Sequence, residues 1–210
     1  FEQAVAELRG FPKLEGTRHV NMALIAKLIP SYMFMPGEFE EVGRITDNRD
    51  DTFLFHQGRT RGYAKTKFHD YMIAYNSVSH LPNVKVFIDQ INAYKNYLMV
   101  SGQNIAKQMQ DFDYLLAVGE LFTMVAYGQL IIESAKIEGV SEEVLNQMFD
   151  VFVRDFSTYA MDLYAKPLNT PEQVDAIAKM FKRPEPNPDE ADKVLREEVY
   201  SLADEYIQNP

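Results

Sequence analysis

From residue 84 onward the apolar residues return at helical steps. Val84, Phe87, Ile91, Tyr94, Leu98, Ile105 and Met109 recur mostly at intervals of three, four or seven, which predicts one amphipathic helix of about 25 residues. Asn83, following Pro82, is placed to cap it. A break near residues 111–113 leads into a second helix, with Leu115, Val118, Leu121, Phe122, Val125, Leu130 and Ile131 inward and an end near Gly139. Ser141, Glu142 and Glu143 give a third helix an acidic N-terminus that suits its dipole. Its inward set is Val144, Leu145, Met148, Phe149, Phe152, Phe156, Tyr159 and Met161, and it stops before Pro167. Thr170-Pro171-Glu172 starts a short helix that runs to about Phe181. The run Arg183-Pro184-Glu185-Pro186-Asn187-Pro188 excludes a helix, because proline lacks the N–H and clashes with the preceding turn; Asp189 then opens a last helix to about Ile207. Three long helices with short connections predict an all-α fold, an antiparallel bundle over residues 83–210.

The first part of the chain reads differently. Thr17 is a candidate N-cap for a helix with Val20, Leu24 and Leu28 on one face, which ends or kinks near Pro30. Residues 34–82 are punctuated by Gly, Pro and Asp and show only short apolar stretches such as Thr52-Phe53-Leu54-Phe55. They form a long irregular excursion after the first helical segment, and loops of that length are usually functional or covered by a partner. The expected organisation is residues 1–33, residues 34–82 and the bundle of residues 83–210.

Composition adds exclusions. With 210 residues, 46% of them hydrophobic, the chain can bury roughly 70% of its unfolded surface, which excludes disorder, collagen-like fibre and disulfide scaffold. There is no Cys, so thiol nucleophiles and thiolate-ligated metals are excluded, and a reducing, cytoplasmic setting is the expectation. The chain opens on Phe1 with neither a signal peptide nor a transit peptide; the expectation is a fragment of something longer. The net charge is −10, yet residues 1–83 balance ten Lys and Arg against ten Asp and Glu, so the whole excess lies in residues 84–210. That acidity argues against nucleic acid and against an anionic membrane as partners. Residues 114–132 are the longest apolar stretch, but Glu120, Thr123 and Gln129 interrupt it and its flanks are acidic, so a buried core helix is expected there in place of a membrane span.

One short segment carries chemistry: Phe11-Pro12-Lys13-Leu14-Glu15-Gly16-Thr17-Arg18-His19-Val20-Asn21. By itself Glu15, just ahead of a helix N-terminus, is a carboxylate that suits the helix dipole, and Gly16 lets backbone approach a ligand closely. Glu-Gly-Thr followed about three residues on by an apolar helix resembles the signature near the C-terminus of the acyl-CoA dehydrogenase family. The 195 residues after Glu15 are similar in arrangement to the helical extension of its long-chain members. Asp113-Tyr114-Leu115-Leu116-Ala117-Val118-Gly119-Glu120 and Tyr127-Gly128-Gln129-Leu130-Ile131 resemble phrases of bacterial long forms. The resemblance implies an FAD-dependent oxidoreductase of fatty acid metabolism. Glu15 takes the α-proton of an acyl-CoA thioester while the β-hydrogen leaves as hydride to the flavin, and the backbone N–H of Glu15 helps hold the thioester oxygen. Such a base must be desolvated to raise its pKa, and the oxygen needs donors as charge develops. Gly16 and Thr17 then lie against the flavin, His19 contacts it where the family has Gln, and Lys27 takes the place of an Arg that contacts coenzyme A. Leu14 stands where the family usually has an aromatic residue. The implied partners are the upstream flavin-binding domains, without which the chain is inactive, an electron-transfer acceptor, and further copies in a homo-oligomer.

Other residues point elsewhere. Arg59, Arg61, Lys65 and Lys67 form a basic cluster able to meet phosphates or to sit in solvent. His56, His69 and His80 fall in the irregular region and read as structural, with Phe68-His69-Asp70-Tyr71 a packed corner. All four His precede residue 83, so the bundle lacks the Glu-x-x-His pairs of a di-iron centre, and Glu15 with His19 has no third metal ligand. Glu120, if buried in its apolar helix, needs a hydrogen-bond partner. The alternative function is a non-catalytic helical interaction or dimerisation module that docks through the bundle surface.

Overall fold

A computed structural model of the chain describes residues 17–37, 66–102 and 104–203. Their regular structure is entirely helical. The chain divides into two compact units, residues 1–71 and 72–210.

In the first unit, α1 (Arg18–Ile25) passes through a 3-10 turn (Ala26–Leu28) into α2 (Ile29–Phe34). Pro30 lies in the first turn of α2, where a missing N–H costs nothing. Met22, Ala26, Ile29 and Met33 are buried, at steps of four, three and four. The expected inward face is thereby corrected: Val20 is 60% exposed and Leu24 39%. The helix is apolar on two sides, so a 3.6-residue period fits either, and packing selects the side that includes Ala26. Within the expected excursion the Gly37 N–H donates to the Phe68 carbonyl at 2.7 Å. The Tyr32 ring stacks on Tyr71 at 5.1 Å and meets the edge of Phe68 at 5.4 Å. Residues 38–65 lie outside the described residues.

The helix α3 (Tyr71–Ser77) falls inside the stretch expected to be irregular. Beyond it, α4 (Pro82–Ser101) stops at Gly102, which takes φ 47°, and α5 (Asn104–Gln108) follows. The single helix expected over residues 84–109 is therefore two. Its cap is also corrected. Leu81 occupies the N-cap with Pro82 in the first turn, and Asn83 is fully buried.

The second long helix, α6 (Phe112–Glu138), starts on Asp111, whose carboxylate accepts from the N–H groups of Asp113 and Tyr114, and ends on Gly139 at φ 69°. Gly139 supplies the left-handed residue that the turn needs. The third, α7 (Glu142–Tyr164), is capped by Ser141, which accepts from the Val144 N–H. Thr170 and Gln173 form a reciprocal capping box at α8 (Pro171–Ala178). An extended strap follows, and Asn187 caps α9 (Pro188–Val194), which runs on through a π turn (Leu195–Val199) and a 3-10 turn (Tyr200–Leu202).

Helix α7 is the hub, packing against α6, α4, α8 and α9. Asn83 meets Asn146 and Gln90 meets Val153, the same offset of 63 residues in both pairs, so α4 and α7 run parallel. Tyr94 bonds Val118 and Tyr97 bonds Tyr114, so α6 runs antiparallel to α4. Gln173 meets Ser101 while Met180 meets Gln90, which sends α8 and its strap back down along α4. The result is an up-down-up bundle whose fourth position is filled by a short helix continued as a strap.

The core is aromatic at one level. Phe87 has the rings of Phe149, Phe152 and Phe156 around it at 5.4, 5.6 and 5.4 Å, mostly edge to face, the arrangement that ring quadrupoles favour. Tyr75 enters this cluster and donates to the Val125 carbonyl at 2.6 Å. Gly128 makes room for it, because a Cβ there would overlap the Tyr75 hydroxyl. Three inward expectations are reversed: Leu130 is 60% exposed, and Met148 and Met161 also face solvent.

Candidate functional site

Glu15 and Gly16 lie outside the described residues, as do His56, Arg59, Arg61 and Lys65. Thr17 occupies the N-cap of α1 in extended conformation, φ −71° and ψ 156°, with no side-chain capping bond. Its carbonyl accepts from the Asn21 N–H at 3.1 Å and so closes the first helical turn. The N–H groups of the first turn have no carbonyl within the helix to meet, and the helix dipole places partial positive charge there. Thr17 and His19 are both exposed at this end. Lys27 is exposed in the 3-10 turn, eight residues beyond His19 and so about 12 Å further along the axis. The structure thus brings Thr17 and His19 together at one helix end and sets Lys27 more than two turns away.

The packed corner expected around His69 holds for its neighbours, Phe68 and Tyr71 against Tyr32, while the His69 side chain is exposed. Burial, with Asp70 nearby, pushes the Tyr71 hydroxyl up to about 12. His80 pairs with Glu142 at 3.0 Å on the surface. Glu120 is half-buried. Among the described residues no cluster of three or more His, Asp or Glu is placed to hold a metal ion.

Two polar arrangements in the bundle escaped the sequence reading. The first joins α4, α5, α6 and α8. Gln108 and Gln173 exchange amide bonds, Nε2 to Oε1 at 2.8 Å and 2.9 Å. Gln173 Nε2 also donates to Ser101 Oγ at 2.8 Å, and Gln108 Nε2 to the Leu168 carbonyl at 2.6 Å. The Tyr114 hydroxyl bonds the Tyr97 hydroxyl and donates toward the amide oxygens Gln108 Oε1 and Asn169 Oδ1. Burial pushes the Tyr97 hydroxyl far up, with the neighbouring Tyr114 adding to it. Burial also raises Tyr114, against the lowering effect of its bonds from Tyr97 and Gln173. Neutral phenols and amides do no acid–base work near neutral pH, so this cluster is a lock that seats α8.

The second arrangement holds the strap. Gln90 Nε2 reaches the carbonyls of Val153 and Met180 at 3.1 and 2.9 Å, and Ser157 Oγ at 3.0 Å. Ser157 Oγ donates to the Lys182 carbonyl and accepts from its N–H. Asn83 Oδ1 accepts from the Glu185 N–H at 2.7 Å, and its backbone N–H donates to Asn146 Oδ1. Asn146 and Gln147 both donate to Glu190, at 2.7 Å. The only signal of either arrangement in the sequence is amide residues on inward helical positions, as at Asn83, Gln90, Asn146 and Gln173, where buried polar groups require partners.

The fold defines an all-α bundle protein, in which the exposed N-terminus of α1 follows Glu15-Gly16-Thr17 directly. Comparison of the chain with protein-family models, with curated proteins and with solved structures finds no match. The helix α6 is long and apolar enough to cross a membrane, with a mean hydropathy of 1.7 over its best window, and 67% of that window is buried inside the bundle.

Proposed function

We propose that the chain is the C-terminal part of an FAD-dependent acyl-CoA dehydrogenase, with Glu15 as the catalytic base. The observation that carries the reading is the position of the α1 N-terminus. The helix begins at Arg18, directly after Glu15-Gly16-Thr17, with Thr17 extended. Such a helix end, with Thr17 and His19 exposed, suits the anionic phosphates of a dinucleotide cofactor. The uncovered Val20 and Leu24 face suits a helix that completes a larger helical domain supplied upstream.

In this reading the Glu15 carboxylate takes the α-proton of an acyl-CoA thioester, and its backbone N–H bonds the thioester oxygen. Thr17 and His19 line the cofactor side, and Lys27 meets the phosphates of coenzyme A. FAD, when bound, accepts the β-hydrogen as hydride and passes electrons to an external acceptor. Residues 72–210 supply a folded extension in a homo-oligomer. The alternative, a non-catalytic interaction module, draws support from the buried polar clusters of the bundle, whose amides and neutral phenols seat helices and the strap.

The test is the complete polypeptide that contains this sequence, purified with its flavin under anaerobic conditions. Adding acyl-CoA is expected to bleach the flavin, and Glu15→Gln to slow bleaching by roughly 10²–10⁴-fold, the usual worth of a positioned base. Bleaching at the normal rate in that variant overturns the assignment of Glu15, and a polypeptide that binds no flavin overturns the class.

A further inference from the structure

Beyond Met180 the chain is attached by different means from the long helices. Ile177 and Met180 are fully buried. From Phe181 to Ala203 every residue is exposed or half-buried, and Leu195, Val199, Tyr200 and Leu202 are 43% to 63% exposed. Apolar burial therefore contributes little to holding this segment. Its attachments are polar. Ser157 Oγ takes both the N–H and the carbonyl of Lys182, at 3.0 and 2.8 Å. Asn83 Oδ1 accepts from the Glu185 N–H, and Glu190 accepts from Asn146 and Gln147. Lys193 reaches Glu143 at 2.6 Å on the surface. Water can replace each of these bonds, so a segment held by them alone opens far more readily than a packed helix.

The joint where the segment leaves the core carries a flaw. Gln90 is fully buried, and its Nε2 faces three acceptors, the carbonyls of Val153 and Met180 and Ser157 Oγ, while its Oε1 has no donor among the described residues. A buried acceptor left unpaired is costly. Turning the amide over would set its oxygen against the two carbonyls, so the docked form keeps that cost.

We propose that residues 182–203 are a latch, one unit that hinges after Met180 and lifts from α4 and α7 while the helices beneath stay folded, uncovering Asn83, Asn146 and Ser157. Asn83 and Asn146 make the attachments act together. The Asn83 N–H donates to Asn146 Oδ1 at 2.9 Å and Asn83 Nδ2 to the Asn146 carbonyl at 3.3 Å. Each then turns its remaining group to the segment, Asn83 to Glu185 and Asn146 to Glu190. When Glu190 leaves, the buried Asn146 amide loses its acceptor, and the pair that holds Glu185 loosens with it. The latch does not rest on the flavin reading.

Amide hydrogen exchange of the 210-residue chain, resolved by residue with NMR, tests it. The N–H groups of Lys182, Glu185 and Ala191 are expected to exchange through one common opening, at least roughly tenfold faster than those of Ile91 on α4 and Val118 on α6, which follow global unfolding. Glu190→Ala is expected to speed exchange at Glu185, five residues away, by roughly tenfold, the worth of a hydrogen bond to a charged group, and to leave Ile91 and Val118 nearly unchanged. Ser157→Ala probes the coupling from the other end and is expected to speed exchange at Ala191. Circular dichroism confirms that each variant keeps its helices. Exchange at Lys182 and Glu185 as slow as at Ile91 overturns the latch, since the segment then opens only with the whole fold. Glu185 indifferent to Glu190→Ala, or Ala191 indifferent to Ser157→Ala, overturns it too, because strap and α9 then open as separate pieces. Equal acceleration of Val118 in either variant does the same, by showing that the bundle itself has loosened.

Discussion

At one level of the bundle Phe87 is packed among Phe149, Phe152 and Phe156; ten residues along α4, the Tyr97 hydroxyl meets that of Tyr114 on α6, beside the amide pair of Gln108 and Gln173 that seats α8. The two levels share helices and are about 15 Å apart along the axis, yet they hold the fold by different physics. Ring packing is non-directional, so it tolerates exchange at constant volume and fails when a void opens. The amide cluster is directional, so each member matters chiefly for the partner it would leave unpaired.

Replacing Phe87 with Ala is expected to have the largest effect, a loss of about 3–5 kcal/mol from transfer and cavity terms, read by urea denaturation. Phe87→Leu should recover much of it. Next comes Gly128→Ala, which drives a methyl into the Tyr75 hydroxyl and should cost about 1–3 kcal/mol, as overpacking does. Tyr75→Phe in the same chain should return part of that loss, and a strictly additive double mutant would break the assignment of the clash to the hydroxyl. At the polar level, Gln173→Ala takes one buried partner each from Gln108 and Ser101 and should cost about 1–3 kcal/mol. Joint replacement of Gln108 and Gln173 by Leu should cost less than the sum of the two single changes; if it costs the full sum, the distinction between the levels fails.

Alkaline pH gives a fourth measurement. Burial raises the hydroxyls of Tyr94 and Tyr97, and of Tyr114 to a lesser degree, above their ordinary 10.0. The unfolded chain releases these protons first, so stability is level below pH 10 and falls as the pH rises beyond it toward the folded values. Tyr97→Phe should flatten that fall while leaving the aromatic level untouched. The smallest effect belongs to the rim. Burial lowers Lys166, but its bonds to Asp113 at 2.9 Å and Asp162 at 3.0 Å outweigh this and hold it above its ordinary pKa. Its partners are exposed, so Lys166→Gln should cost no more than about 1 kcal/mol.

The long helices were legible because Phe87, Ile91, Val118, Val125, Phe149 and Phe156 keep a strong period with punctuation at Asp111, Gly139, Ser141 and Thr170. Leu130 and Val20 were misplaced because α6 and α1 are apolar on more than one side, and periodicity then has more than one solution. Asn83 looked like a cap, since Asn after Pro often is one; in the fold Leu81 takes that position and Asn83 is turned inward to Asn146 and Glu185. The turn at Gly102 was hidden because the apolar rhythm runs on through Ile105 and Met109. For the candidate site, the sequence supplied the motif and the start of α1, while Gln90, Gln173 and Tyr114 carry no motif and become visible only through their partners.

The strap between α8 and α9 has a consequence for descent. Its backbone is held by Gln90, Ser157 and Asn83, which belong to other elements. The information that specifies its course is therefore stored 25 to 102 residues upstream. In related chains the strap's own letters are free to drift, while those three distant positions are expected to stay fixed or to change together.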